Sequence, residues 1–247
     1  MDGFLPAPLP RQRHQIWHSV LLTVVPALLC VVVLVYESLA KDWQEDFHLA
    51  QRTLTPTGVA PYSILVPGFQ LVLASTAATL TITVLEETKA IHGVLTRVVE
   101  EREERHGAVY EMARNFVALD PATGDMFSFG ETVDVYQHGH VVSHAGSWQA
   151  YTQGARPALL LPGAPHVGLT YYQELAPGVA MARAEIVSLA DRVHTPAGTW
   201  TPCVTLVAYT TPRWLDLLAP SEYRAYAPGI GVIQANNMKL VRYGYRQ

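Results

Sequence analysis

The sequence predicts a mainly β protein: a single N-terminal transmembrane helix followed by an antiparallel β domain, sandwich or barrel-like. Three observations carry the prediction. One apolar, charge-free run stands near the start, at residues 16–36. After residue 50 no apolar pattern of helical spacing persists for a useful length. Instead, short stretches rich in Val, Ile, Thr and Tyr alternate with Gly-containing turns at roughly 8–12-residue spacing, the signature of an antiparallel all-β domain.

Residues 1–15 open with MDGFLPAPLP, whose three prolines favour an extended tail. Residues 16–36 then run for 21 positions without a charge. At about 1.5 Å of rise per residue they span about 30 Å, the thickness of one bilayer core. Trp17 and Tyr36 bracket the run as interfacial aromatics do, and Pro26 marks a kink. Arg11 and Arg13 precede it, whereas Glu37, Asp42, Glu45 and Asp46 follow. The excess of cations before the run places residues 1–15 in the cytoplasm and the rest on the periplasmic side of a bacterial inner membrane. A cleaved signal peptide is the competing reading. Ser38 and Ala40 imitate a cleavage site, but the apolar core of such a peptide is shorter, roughly 7–15 residues.

Residues 37–63 are expected to hold a juxtamembrane helix and a linker. Trp43 and Phe47 lie four apart, giving ESLAKDWQEDFHLA one apolar face, and Pro56, Gly58 and Pro61 follow. Residues 62–85 are apolar enough to suggest a second membrane helix, which would return the C-terminal part to the cytoplasm. The alternation in TLTITVLEE instead predicts a strand with Leu80, Ile82 and Val84 on one face, paired with FQLVLAS.

Residues 64–247 are read as one extracytoplasmic β domain. Strands are expected at 69–74, 79–86, 94–104, 110–119, 125–129, 132–137, 140–151, 170–175, 179–189, 201–210, 222–227, 231–235 and 238–243. Turns are expected at His92-Gly93, His106-Gly107, Pro121 to Gly124, His138-Gly139 and Ala197-Gly198. The pieces LVPGF, VLEETKAIHGVLTRVVEEREER, FSFGETVDVYQHGHVVSHAGSWQA, GARPALLLPG, YYQELAPGVAMARAEIVSL, HTPAGTWTPCV and EYRAYAPGIGVI occur in that order. In this order they resemble a β domain that recurs in secreted or lipid-anchored bacterial proteins of uncharacterised role. The resemblance implies a β fold and no transferable chemistry. Such domains usually lack a membrane helix and linker, which suggests recruitment here as a membrane-bound subunit.

Candidate chemistry is sparse. His138, His140 and His144 form H-x-H-x-x-x-H and are weak candidates to ligate Zn or Cu, with Glu131 or Asp134 to complete a set. His138 and His140 flank a proposed turn, and exposed turn histidines are the simpler reading. No nucleophile elbow, zinc-protease helix, P-loop or dinucleotide fingerprint occurs. Glu100, Glu101, Glu103 and Glu104 interleave with Arg97, Arg102 and Arg105, as strand-surface ion pairs do. Cys30 and Cys203 are too few for a disulfide scaffold and read as small buried apolar residues. With 17 Lys and Arg against 21 Asp and Glu, the chain lacks the basic excess of a nucleic-acid binder.

The expectation is therefore a non-catalytic, cofactor-free accessory subunit of a larger bacterial membrane complex, contributing assembly, stability or docking. A photosynthetic reaction centre with its light-harvesting complex is the guess among such assemblies, and no motif carries that step. Its partners would be the bilayer and other membrane subunits, met through Trp43, Phe47, Trp214, Leu215, Leu217 and Leu218. The alternative is a tethered β module binding a lipid, pigment or other hydrophobic ligand, suggested by the tyrosines at 171, 172, 223, 226, 243 and 245.

Overall fold

A computed structural model describes Pro26 and residues 41–210 and 222–246. The anchor residues Trp17 and Tyr36, and the docking candidates Trp214, Leu215, Leu217 and Leu218, lie outside the described residues, and of the anchor only Pro26 lies within them. No helix among the described residues is long and apolar enough to cross a membrane.

Sixteen strands make up the described part. A small hairpin comes first: β1 (Gly58–Ala60) and β2 (Ser63–Leu65). The following strands are β3 (Phe69–Ala74), β4 (Ala78–Ile91), β5 (Val94–Arg105), β6 (Ala108–Leu119) and β7 (Met126–Gln137). Next come the short strands β8 (His140–Ser143), β9 (Trp148–Gln149), β10 (Ala158–Leu161) and β11 (Thr170–Tyr172). The chain closes with β12 (Arg183–Thr195), β13 (Gly198–Tyr209), β14 (Glu222–Ala227), β15 (Gly231–Ala235) and β16 (Met238–Tyr245). Fourteen of them form one antiparallel sheet in the order β10-β7-β6-β5-β4-β3-β16-β15-β14-β13-β12-β11, with β8 and β9 added on β7.

The long hairpins follow from their turns. At His92-Gly93, His106-Gly107 and His138-Gly139 both residues have positive φ, near 50° at each His and near 80° at each Gly. Two-residue loops of this kind twist in the sense that the flanking strands require. His-Gly here fills the role that Asn-Gly fills more often. Residues 62–85 are strands, not a membrane helix: β3 and β4 pair Leu71 with Ile82 and Leu73 with Leu80, as the period-two pattern predicts.

The two end strands of the sheet, β10 and β11, come together. Arg156 N–H donates to the Leu175 carbonyl at 2.8 Å, and Gln173 Nε2 donates to the Leu160 carbonyl at 2.8 Å. The sheet thus curls until its edges meet, which removes the exposed edges an open sheet would carry.

The expected helix over 37–50 is corrected for the residues described. Residues 41–48 are not helical, and a single 3₁₀ turn covers Leu49–Gln51. The backbone groups of Gln44 bond instead to β11, its N–H to Thr170 O and its carbonyl to Tyr172 N–H, both at 3.0 Å. Trp43 packs edge-on against Tyr209, and Phe47 lies 6.1 Å from Phe127. Both are buried in this β unit. They are therefore not surface residues of the described structure, and the proposed role in docking is withdrawn for them. Farther on, Arg52 reaches Asp120 at 2.8 Å and Asp125 at 2.9 Å, tying the segment to the β6–β7 turn. Burial pushes the Asp120 carboxyl up, but the Ala122 N–H and Arg52 together hold it below its usual range. The expected linker also holds structure: Ala60 and Leu65 of the β1–β2 hairpin are buried.

Candidate ligand-binding site

The curled sheet lines a partly open cavity of about 290 Å³. That size lies at the small end of ligand pockets, which run from roughly 300 Å³ upward. Its wall draws on β2 of the small hairpin and on β3 to β7, β10 and β13 to β15 of the large sheet. Part of the lining is apolar: Leu65, Phe69, Leu71, Val84, Met126 and Leu161. The β1–β2 hairpin covers the sheet near Leu71 and Leu119, and Pro61 accepts a backbone hydrogen bond from Gly229.

The remaining lining is acidic. Glu101, Glu111, Glu131, Glu174 and Glu222 all face the cavity, with Asn115, Ser128 and Gln173 among them. Arg224 is the only cation among the described lining residues. It is already matched, since its Nε donates to Glu222 Oε1 at 2.7 Å. Glu222 is also the main reason that the guanidinium is held firmly in its charged form.

Strand register explains how these residues converge. Glu101 on β5 stands opposite Ile82 and Ala113, both in the cavity wall. Glu131 faces inward because β7 carries a bulge: Asn115 and Val117 of β6 are two residues apart, whereas their partners Glu131 and Ser128 are three apart. The extra residue switches which face the later part of the strand presents. Gly130 makes the bulge possible. Its φ is 127°, and a Cβ there would stand 2.4 Å from Trp148 O and 2.8 Å from the Gln149 Cα. No other residue fits that close approach of β9.

On the opposite wall Tyr171, Ala184, Ala208 and Glu222 are successive cross-strand partners on β11 to β14 and share the inward face. Glu101 lies within electrostatic reach of Arg224, although their strands are five places apart in the sheet. The two walls face each other across the interior.

Confinement changes the acids. Burial, with Glu174, Glu101 and Glu111 nearby, pushes Glu131 up to about 9. Burial likewise raises Glu174, against hydrogen bonds from Glu131 and the Ala182 N–H that pull it down. The Glu131 and Glu174 carboxyls stand close enough to hydrogen-bond to each other. Two carboxyl groups can do so only if one keeps a proton. Glu101 is raised by burial, with Arg224 opposing, and Glu111 by burial and by Glu103 and Glu101. Burial also raises the phenols of Tyr226 and Tyr171. The hydroxyl of Tyr171, a completely buried residue, has no hydrogen-bond partner.

The sequence-predicted site residues stand elsewhere. His138 is a left-handed turn residue, and His140 is exposed. His144 Nδ1 lies 2.7 Å from Asp134 Oδ1 at the surface. Among the described residues no group of three or more His, Cys, Asp or Glu is arranged to hold a metal ion. Cys203 is buried and free. Of the charged run on β5, Glu100 pairs with Arg114 at 3.1 Å and Glu104 with Arg102 at 2.9 Å, the surface pairing expected. Arg97 donates to the carbonyls of Pro56 and Glu86. Glu101 is the exception that turns inward. The signal for it was its parity with Val99, which also lines the cavity.

The geometry defines a class: an antiparallel β unit curled around a small cavity, apolar on one part and carboxylate-lined on another. No family model, curated protein or solved structure matches the chain.

Proposed function

We propose that the protein is a membrane-tethered β module that binds a small, partly apolar molecule inside its curled sheet. The carrying observation is the 290 Å³ interior cavity with its divided lining. Buried carboxylates cost stability unless something offsets their desolvation. A chain that keeps several in one cavity, beside an unpartnered phenol, is arranged for recognition rather than for core packing. The uncharged run at 16–36 supports the tether, and the acidic flank after it supports a periplasmic position for the β unit.

The test is titration calorimetry of the full chain in lipid nanodiscs with 3-phenylpropan-1-ol, a water-soluble probe with an apolar body and one polar end. Saturable binding at one site per chain, abolished by Ala113→Trp in the cavity wall, is the expected result. Absence of saturable binding contradicts the reading. A second reading, an accessory subunit of a larger membrane complex with the β domain resembling that of secreted bacterial proteins, is favoured by the same run at 16–36. Purification in mild detergent with mass spectrometry tests it: stoichiometric membrane-protein partners support it, and a lone monomer refutes it.

A further inference from the structure

The lining of the cavity is unbalanced in charge, and the imbalance names a ligand class. Glu101, Glu111, Glu131 and Glu174 face a space whose only described cation, Arg224, is already bound to Glu222 at 2.7 Å. Arg224 also acts on Glu101 and Glu174, but one guanidinium cannot balance five carboxyl groups, and burial keeps protons on the rest. A second observation points the same way. Tyr171 is completely buried, its hydroxyl makes no hydrogen bond, and the register of β11 to β14 sets it on the inward face with Ala208 and Glu222. Its phenol lies within electrostatic reach of Arg224 and Tyr226, both of which line the cavity. Tyr171 is not itself a lining residue, but a buried hydroxyl without a partner beside Arg224 and Tyr226 is costly, and a ligand atom that reaches it would satisfy it.

We infer that the ligand is an amphipathic amine, its ammonium group held among Glu131, Glu174, Glu101 and Glu111 and its apolar body against Leu71, Val84 and the other aliphatic side chains. This rests on the reading of the cavity as a binding site and specifies its substrate class. A carboxylate ligand would meet like charge, and an alcohol would leave the acids uncompensated. An ammonium group supplies the missing charge together with donors for carboxylate oxygens. In the empty cavity Glu131 and Glu174 share a proton. On binding, the ammonium enters as a cation and that proton leaves to solvent, so charge inside the cavity is conserved and no bond other than O–H is broken.

The experiment compares three probes of one skeleton on the full chain in nanodiscs: 3-phenylpropylamine, 3-phenylpropan-1-ol and 3-phenylpropanoate. Calorimetry at pH 7.5, in two buffers of different ionisation enthalpy, reads affinity and proton release together. The amine is expected to bind at least tenfold more tightly than the alcohol, with release of about one proton, and the carboxylate more weakly than either. In the double variant Glu131→Gln, Glu174→Gln the amine should fall to the affinity of the alcohol and the proton release should disappear. A single cooperative thermal transition with unchanged circular dichroism shows that this variant is folded, and the single variant Glu101→Gln, with a smaller loss of amine preference, repeats the test if the double variant does not fold. Alcohol binding equal to or tighter than amine binding overturns the amine and leaves the cavity reading intact. If no probe binds, the cavity reading falls and the amine with it.

Discussion

The closed, apolar part of the interior and its carboxylate part are made of the same strands, yet they obey different rules. Along β3, Phe69, Leu71 and Leu73 are buried and the residues between them half-buried, so burial follows the period of a strand. Around Glu101 and Glu131 the same alternation carries acids inward, and a bulge at Gly130 is needed to aim one of them. The first region gains stability from removing apolar area from water, about 25 cal/mol per Å². The second loses stability by desolvating carboxyl groups. Protein chains retain such a loss where it serves recognition.

The sharpest way to break the contrast is Gly130→Ala. The new Cβ cannot coexist with Trp148 O, so the bulge must shift and β9 must separate from β7. A loss of about 4 kcal/mol is expected by denaturant titration, far above an ordinary strand glycine. At the apolar end Leu65→Ala removes a fully buried side chain of the covering hairpin and should cost about 3 kcal/mol, with little effect on the acids. Next comes Arg52→Ala, which leaves Asp120 and Asp125 without their shared cation. It should cost about 2 kcal/mol above pH 5. Because the Asp120 carboxyl is held low in the folded chain, that contribution is present above its unfolded value and fades as pH falls through the lower, folded one.

The smallest effect has the opposite sign. Folded Glu131 keeps its proton up to about pH 9, whereas an unfolded Glu releases it near its ordinary value of 4.5. Ionisation therefore favours unfolding, so the contribution of Glu131 is at full strength below about pH 4.5 and is lost as pH rises toward 9. Glu131→Gln should raise Tm by about 3–6 °C at pH 8 and leave it unchanged at pH 4. A scan of Tm against pH for both proteins checks this.

Most of the strand pattern was legible in the sequence, because His-Gly turns and period-two alternation are local signals. The segment at 41–57 departs from expectation for a physical reason: Trp43 and Phe47 have helical spacing, but the edge of β11 takes the N–H and carbonyl of Gln44 between them. The hairpin at 58–65 was hidden by Gly58 and Pro61. The acid cluster was the least legible feature. Glu100, Glu101, Glu103 and Glu104 look alike in sequence, and only the curl of the sheet decides that Glu101 meets Arg224 while Glu100 meets Arg114. Glu174 and Glu131 are more than forty positions apart in the sequence, and nothing local links them.

The central claim is that the interior holds a small amphipathic molecule, and competition between the two interior regions tests it most directly. Titration of the full chain with 3-phenylpropylamine, followed by NMR of the labelled protein, should perturb the methyl groups of Leu71 and Val84 and the side chain of Glu131 together, at one saturating stoichiometry. Perturbation confined to surface residues, or no saturable change at all, would contradict it.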